Sequence, residues 1–239
     1  MPIERGRIVV DSRADADVRL LPGRAALVAA TRTLLVADLH LGKAATFRRA
    51  GIPVPEGSAG RDLDRLTRLV ADTRATRVIV VGDLLHSAAG CTPGVIDQFR
   101  AFRDGCPATP ILLVLGNHDV AARRHAEALG LDGCVGSLDE GPLRLVHSAG
   151  EAGDGKDPLP EAIGLVVAGH VHPRVVLSAA GGDRLAERCF HLDGGVLTLP
   201  AFGSFTGGQS MPDSATARAW IARDDGVVEV TRLLRRARA

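Results

Sequence analysis

Seven side chains that can bind a divalent metal stand at the ends of five short apolar runs. The runs are LLVA, VIVV, ILLVL, LRLV and LVVA, and the side chains are Asp38, His40, Asp83, Asn117, His147, His170 and His172. Carboxylate, imidazole and carboxamide donors without a thiolate suit Mn, Fe or Zn better than a soft metal. Seven donors are too many for one four-coordinate ion, and they match two ions that share a bridging carboxylate.

The spacing inside the set also suits metal binding. Residues i and i+2 of a strand project on the same side, so Asp38 and His40 can bind one metal together. The same reasoning pairs His170 with His172. Two metals about 3.5–4 Å apart stabilise the attacking and leaving oxygens of a phosphoryl displacement. The pattern therefore indicates a dinuclear site for phosphoester hydrolysis.

Each motif taken alone has a plainer interpretation. An Asp-x-His sequence at a strand end is often a turn or a cap, and Gly-Asp is a common turn dipeptide. A lone His147 is typical of a partly buried histidine. Gly82 and Gly116 are expected to let the backbone turn sharply beside a ligand. All five motifs, each at the end of its own run, favour the metal site.

The elements that would position these residues alternate between strand and helix. The predicted strands are Leu34–Ala37, Val78–Val81, Ile111–Leu115, Leu143–Val146 and Leu165–Ala168. Predicted helices begin at Ser58 and near Pro93, and a third spans Val120 to Leu129. Such alternation is typical of α/β layers, in which the strand ends form the crevice where ligands bind.

The last third of the chain is richer in strands than the middle. Its predicted strands are Val175–Leu177, Cys189–Leu192, Val196–Leu199, Ala217–Ile221 and Val227–Leu233, and the first forty residues also read as short strands. No repeat or clear linker interrupts the chain. We therefore expect a single domain over residues 1–239, with Gly150–Pro160 as a loop inside it.

The composition is that of a globular protein without a strong overall charge. Apolar residues make up 46% of the chain, charged residues 24% and aromatic residues 3%, and the net charge is +1. A nucleic-acid partner would have to be attracted by a local basic patch. The four cysteines form no Cys-x-x-Cys pair, and no signal peptide or membrane span is evident. We expect a cytoplasmic protein that does not contact the membrane.

The ordered motifs resemble those of the calcineurin-like metallophosphoesterase superfamily. The family motifs D-x-H, G-D, G-N-H-D/E, H and G-H-x-H are all intact between Asp38 and His172. The resemblance implies an α/β fold, a four-layer αββα sandwich of two mixed β-sheets flanked by helices. The strands of the last third would then belong to the second sheet.

The resemblance also implies a role for each matched residue. One metal would be held by Asp38, His40 and His172, the other by Asn117, His147 and His170, with Asp83 bridging the two. A hydroxide held by the metals would attack phosphorus in line. His118 would contact the phosphate and protonate the leaving oxygen, and Asp119 would orient His118.

A narrower resemblance comes from three longer segments. ADLHLGKAATFRRAGIPVP, GDLLHS and LPAFGSFTGG are similar to the ligase-associated DNA damage response endonucleases, the PdeM group. This implies a Mn²⁺-dependent phosphodiesterase in DNA repair, with Fe or Zn as alternative metals. DNA would be the substrate, and a DNA ligase, an exonuclease and a helicase would be its associates.

Candidate substrate-binding residues lie close to the metal motifs. Lys43, Arg48 and Arg49 could bind a phosphate chain, and His86 could reach the substrate. Two other functions stay open. A phosphatase or pyrophosphatase of small metabolites is favoured by the near-neutral charge and the scarcity of aromatic residues, because single-strand binders use both a basic groove and aromatic platforms. A non-catalytic scaffold that keeps its metals is opposed by His118, since a structural site needs no general acid.

Overall fold

The structure, a computed structural model, describes residues 7–9, 17–54, 57–151, 160, 162–178, 183–211 and 214–232. These residues form two β-sheets, and the first sheet comes from the N-terminal part of the chain. Its seven strands lie side by side in chain order: β1 (Arg7–Val9), β2 (Asp17–Leu21), β3 (Ala25–Val28), β4 (Thr33–Val36), β5 (Arg77–Val81), β6 (Ile111–Val114) and β7 (Gly133–Val135). β1 to β4 pair antiparallel, and β4 to β7 pair parallel.

The second sheet is also mixed and has nine strands. They are β8 (Ser137–Glu140), β9 (Leu143–Val146), β10 (Leu165–Ala168), β11 (Pro173–Ser178), β12 (Arg184–Asp193), β13 (Val196–Thr198), β14 (Gln209–Ser210), β15 (Arg218–Ala222) and β16 (Val227–Glu229). The spatial order is β14-β11-β12-β13-β10-β9-β8, and β15 pairs with β12 and β16. β10 lies parallel to both of its neighbours, β9 and β13.

The α-helices whose ends the structure describes all lie between residues 43 and 129. They are α1 (Lys43–Arg49), α2 (Ser58–Thr73), α3 (Pro93–Asp104), α4 (Val120–Arg124) and α5 (Ala126–Leu129), with single 3₁₀ turns at Ala88–Gly90 and Ala149–Glu151. The helix expected over Val120–Leu129 is divided at His125, whose backbone (φ −108°, ψ 20°) leaves the helical region. None of these helices combines the length and hydrophobicity that a bilayer-spanning segment needs.

The core follows from the alternation of side chains along the strands of the first sheet. In β4, Leu34 and Val36 pack with Leu66 of α2 and Phe99 of α3. Leu35 faces the other way and packs in a second cluster with residues of the second sheet, as period-two alternation requires. This confirms the α/β fold class, with two mixed sheets face to face and helices outside. The described helices that bury side chains pack on the first sheet.

Parallel pairing explains why the strand ends meet. Leu35 of β4 is paired with Ile79 of β5, and Ile79 with Leu112 of β6. These three strands therefore end at the same edge of the first sheet. In the second sheet, Val146 at the end of β9 is paired with Ala168 at the end of β10.

The ends of the two sheets also come together. The amide of Phe202 donates to the carbonyl of Ala37, and the amide of Gly203 donates to the carbonyl of Asp38. The amide of His170, after β10, donates to the carboxylate of Asp38 after β4, at 3.0 and 3.2 Å. These bonds hold the strand ends of both sheets at one place.

The predicted strands correspond closely to those of the structure. Leu143–Val146 and Leu165–Ala168 agree at both ends, and Val78–Val81 lies within β5. The strand expected over Val227–Leu233 ends at Glu229 as β16, and Leu233 lies outside the described residues. Most of the loop expected over Gly150–Pro160 also lies outside them.

Candidate metal centre

The candidate ligands follow five strands and occupy an unusual backbone conformation. Eight non-glycine residues among those described have positive φ, and five of them are candidate ligands: Asp38 (54°), His40 (48°), Asp83 (48°), His170 (70°) and His172 (52°). This left-handed region is sparsely populated by residues with a side chain, although Asp and His enter it more readily than most. Such residues concentrate at functional sites, where the surrounding structure holds them in place.

The first group of ligand atoms comes from Asp38, His40 and His172, which lie within 4.8 Å of one another. The Nε2 atoms of His40 and His172 are 3.1 Å apart, and the Nε2 of His172 lies 3.6 Å from Oδ1 of Asp38. The arrangement joins two residues of the first sheet with one of the second. Such a set of one oxygen and two nitrogens suits a divalent transition metal.

The second group comes from Asp83, His147 and His170, again within 4.8 Å of one another. Nε2 of His147 lies 2.9 Å from Nδ1 of His170 and 2.8 Å from Oδ1 of Asn117. Asn117 therefore adds a carboxamide oxygen to this group. All seven predicted ligands lie in these two adjoining groups.

Asp83 lies between the two groups. Its Oδ2 is 3.7 Å from Nε2 of His40 in the first group and 3.7 Å from Nε2 of His147 in the second. Its Oδ1 accepts a hydrogen bond from the amide of His118 at 3.0 Å. The carboxylate is thus fixed by the backbone on one side and directed at both groups on the other.

The strand-spacing expectation for His170 and His172 was wrong. The i and i+2 rule placed both on one metal, whereas the structure puts His172 in the first group and His170 in the second. Both residues have a left-handed backbone, so the same-side rule, which holds for extended backbone, does not decide which group each one joins. Asp38 and His40 are left-handed as well, yet they share one group. The division that the family resemblance implied agrees with these groups.

Burial makes these residues suitable for holding a cation. Asp38 is fully buried and Asp83 is 2% exposed, and no lysine or arginine among the described residues forms an ion pair with either. Buried carboxylates need a compensating charge, and divalent metals would supply it. Burial raises the pKa of Asp38, a shift that a bound cation would oppose.

His40 of the first group is held in its metal-binding form. Burial, together with the nearby His172, lowers the pKa of His40 to about 2. The ring is therefore neutral near pH 7, and a neutral imidazole can offer a nitrogen lone pair to a metal. The donor set, its burial and its geometry fit two divalent ions.

His118 lies at the mouth of the site. Its Nε2 is 4.0 Å from Oδ2 of Asp83, and its side chain is 40% exposed. The ring stacks on that of His86, with centroids 5.5 Å apart and planes at 22°. The rings of His86 and His40 are 5.5 Å apart as well. The His118 side chain is thus close to Asp83 and also accessible to solvent, and His86 lies beside it.

Asp119 contacts the backbone around His118. Its Oδ2 accepts from the amide of Gly116 at 2.9 Å, and its Oδ1 accepts from the amide of Leu85 at 3.2 Å. Burial raises the pKa of this carboxyl to about 7. The two hydrogen bonds tie the turn that carries His118 to the segment that follows Asp83.

The predicted substrate cations all lie on α1, but they are not equivalent. Lys43 and Arg48 line a cavity of about 190 Å³ that His40 also lines. The Lys43 ammonium forms no ion pair with any residue that the structure describes, and burial lowers its pKa. The guanidinium of Arg49 instead donates to the carbonyl of Ala89 at 2.9 Å. The structure brings Lys43 and Arg48 to the site and attaches Arg49 to a neighbouring turn.

Two residues near the site were not singled out from the sequence. The ring of Phe47 is 6.3 Å from that of His86, and Phe205 lines the cavity beside His40. Both lie in segments that carried the narrower resemblance, ADLHLGKAATFRRAGIPVP and LPAFGSFTGG. Their position in these segments was the signal in the sequence that could have pointed to them. The residue type gives no such signal, since phenylalanine is a common core residue.

Residues 31–170 match the family model of the calcineurin-like phosphoesterases. The chain belongs to this family. The match spans more than half of the chain and contains six of the seven candidate ligands, with His172 just beyond its end. The family assignment confirms the superfamily resemblance.

Among the solved structures that resemble this chain is one whose name states an activity. The nuclease MPE of Pseudomonas putida is 32% identical in sequence, with a TM-score of 0.68, over 89% of this chain and 94% of that chain. The Aquifex aeolicus protein of unknown function AQ665 is 17% identical, with a TM-score of 0.40, over 59% of this chain and 78% of that chain. No curated protein matches this sequence. With its two ligand groups, this chain is a metal-dependent phosphoesterase.

Proposed function

We propose that this calcineurin-like phosphoesterase is a phosphodiesterase that cleaves DNA internally and acts in DNA repair. The nuclease activity of the Pseudomonas putida neighbour supports a nucleic-acid substrate. The observation that carries the chemistry is the position of Asp83, whose Oδ2 is 3.7 Å from a ligand nitrogen of each group. One carboxylate directed at two neighbouring groups is what a dinuclear site requires.

In this proposal, each of the two groups holds one ion. Asp38, His40 and His172 would hold the first, Asn117, His147 and His170 would hold the second, and Asp83 would contact both. Two divalent ions, when bound, polarise the phosphoryl oxygens and lower the pKa of water. Mn²⁺ is the proposed metal, with Fe and Zn as alternatives, because the donors are oxygen and nitrogen.

The remaining residues bind the phosphate and move a proton. His118 is the general acid, because its ring is partly exposed beside Asp83 and can reach the leaving oxygen. Asp119 positions His118 through its hydrogen bonds to the backbone of Gly116 and Leu85. Lys43 and Arg48 bind phosphates that flank the cleaved bond, and His86 contacts the substrate beside His118.

The cellular setting is part of the same proposal. By its resemblance to the ligase-associated endonucleases, the protein would act in the cytoplasm alongside a DNA ligase, an exonuclease and a helicase. Copurification of any of the three with the tagged protein from its own cells, retained after nuclease treatment, would support this. Recovery of none of them would count against it.

A metabolite phosphatase is the second candidate function. The net charge of +1 and the cavity of about 190 Å³ beside His40 both suit a small substrate. A monoester carries an additional negative charge, which Lys43 and Arg48 could neutralise. The two functions differ in whether phosphodiesters are cleaved.

One set of assays separates these functions. The purified protein, supplied with Mn²⁺, is tested on bis-p-nitrophenyl phosphate, p-nitrophenyl phosphate, and single- and double-stranded DNA, with Asp83→Ala as the inactive control. The expected result is metal-dependent cleavage of the diester and of DNA that Asp83→Ala abolishes. Hydrolysis of the monoester alone would support the phosphatase, and no turnover of any substrate would support a scaffold.

A further inference from the structure

Two of the six phenylalanines differ from the rest in their surroundings. Phe99, Phe102, Phe190 and Phe202 are buried in the hydrophobic core. Phe47 and Phe205 are only partly buried and belong to none of the core clusters. Their rings contact each other, with centroids 5.6 Å apart and planes at 90°. In a chain with so few aromatic residues, this partly buried pair is not explained by core packing.

The phenylalanine pair continues a row of rings that starts at His118. His118 stacks on His86 at 5.5 Å and 22°, and Phe47 follows His86 at 6.3 Å and 25°. Phe205 is the last ring of the row, and its plane is perpendicular to that of Phe47. The row therefore leads from His118, beside Asp83, to two partly buried apolar rings.

The loop that carries Phe205 is held on both sides of that residue. The amide of Ser204 donates to Asp62 at 2.7 Å, and Arg188 donates to the carbonyls of Ser204 and Thr206 at 2.7 and 3.0 Å. Arg65 donates to the carbonyl of Phe202 and lies over its ring. Asp62 is 3% exposed. These bonds hold the backbone on both sides of Phe205 before any ligand arrives, and a loop ordered in advance lowers the entropic cost of binding.

Positive charge lies next to the same rings. Phe205, Lys43, Arg48 and His40 line one cavity, and Lys43 has no ion pair within the described part of the chain. A phosphate at Lys43 and an aromatic group at Phe205 would thus be neighbours. Phosphate beside an aromatic ring system is the chemistry of a nucleotide, and aromatic side chains stack on nucleobases of any sequence.

We propose that Phe47 and Phe205 form a nucleobase platform for an unpaired base next to the cleaved phosphate, which rests on the nuclease function proposed above. A base in a duplex is already stacked and paired, so its face is not available to the rings. The platform therefore favours single-stranded DNA or unpaired segments. The low overall aromatic content does not oppose this, because the two rings that matter are placed at the site.

The test compares a single-stranded oligodeoxynucleotide with a strand of equal length made of abasic tetrahydrofuran nucleotides. Both carry the same phosphates, so their ratio of kcat/KM reports what the bases contribute. The wild-type protein with Mn²⁺ is expected to prefer the base-bearing strand at least tenfold. Phe47→Leu and Phe205→Leu should each reduce that preference about tenfold, the range of one base–aromatic contact. Val228→Ala, at an exposed residue of β16, is the matched control, and thermal unfolding verifies that each variant folds.

The outcomes are distinguishable. Equal losses on both strands in folded variants would mean that the phenylalanines only pack α1 against the loop, and would overturn the platform. If the wild-type protein cleaves both strands with a kcat/KM ratio near one, the platform is overturned whatever the variants show. The nuclease function would still stand, because DNA is cleaved. No cleavage of any DNA would refute the nuclease function and the platform with it.

Discussion

At the scale of single residues, the site centres on buried carboxylates and buried imidazoles. Asp38 and Asp83 are buried without a lysine or arginine partner among the described residues, and His40 is held neutral by burial. Such a cluster is costly when empty and becomes favourable once divalent cations occupy it. His118 differs from Asp38, Asp83 and His40 because its side chain is 40% exposed. Binding and proton transfer are therefore assigned to different residues.

His118→Ala is expected to retain both metals and to lose turnover on DNA by about 10²–10⁴-fold, the usual contribution of a general acid. The loss should be smaller with bis-p-nitrophenyl phosphate, since p-nitrophenolate leaves without needing a proton. Metal analysis and steady-state kinetics on both substrates measure this. Unchanged DNA turnover, or loss of bound metal, would rule out the role assigned to His118.

At the scale of elements, the strand ends that carry the metal motifs pack so closely that two positions have no space for a Cβ atom. Gly82 has φ 78°, and a Cβ there would lie 1.8 Å from Nδ1 of His147. A Cβ on Gly116 would lie 2.3 Å from Oδ1 of Asp83. The absence of a side chain at Gly82 therefore leaves room for the ring of His147, and its absence at Gly116 leaves room for the carboxylate of Asp83. This is a packing reason for the glycine in each motif, beyond the sharp turn expected from the sequence.

Gly82→Ala is expected to destabilise the fold by at least about 1–3 kcal/mol from backbone strain alone, with a further cost from the clash with His147. Metal binding by the second group should weaken, because His147 must move. Calorimetry and metal titration measure both effects. Gly136→Ala is the control, since a Cβ there meets nothing within 4 Å and should change stability by no more than about 0.5 kcal/mol. Equal stability of the two variants would contradict the packing reason.

Substitution of Arg48 and of Arg49 on α1 tests whether each one contacts the DNA chain. Arg48→Glu is expected to weaken DNA cleavage far more than cleavage of a small diester, and to reduce the salt dependence of DNA binding by about one unit of slope. Arg49→Glu should also lower thermal stability, because its guanidinium bonds the carbonyl of Ala89. Binding measured over a series of salt concentrations, together with melting curves, tests this. Equal losses on DNA and the small diester would exclude a role for Arg48 in holding the DNA chain.

At the scale of the whole molecule, two mixed sheets meet at the site, and each supplies ligands. The first sheet provides Asp38, His40, Asp83 and Asn117, and the second provides His147, His170 and His172. Hydrogen bonds from Phe202 and His170 to the end of β4 join the sheets there. The metals would therefore add to the contacts between the sheets. That the chain forms one domain over its full length stays a prediction.

Removal of metal is expected to lower the thermal midpoint as well as to abolish activity. Metal at about 100 times its dissociation constant adds about 2.7 kcal/mol, and about 2–4 °C accompanies each kcal/mol in a chain of this size. A decrease of about 5–10 °C after chelation, reversed by Mn²⁺, is therefore expected in calorimetry. An unchanged midpoint in protein shown to have lost its metal would mean that the ions do not join the sheets.

Much of the fold and most of the site could be predicted because their signals are local. Runs such as LVVA and VIVV mark buried strands, and the polar residues after them mark the functional edge of a parallel sheet. The ends of strands β9 and β10 were predicted to the residue. The interruption of the helix at His125 was missed, since nothing in Val120–Leu129 opposes a continuous helix.

The sequence by itself determined which chemical groups are present and that they stand at strand ends, because strand periodicity and ligand type are properties of neighbouring residues. Only the tertiary structure decided how these side chains are divided between the two ligand groups. His170 and His172 are two residues apart, yet they belong to different groups. Asp38 and His40 have the same spacing and the same left-handed backbone, yet they share one group. Phe47 and Phe205 are far apart in the chain, yet their rings touch beside the site. Contacts between distant segments depend on how the sheets and loops pack, which no local pattern of residues specifies.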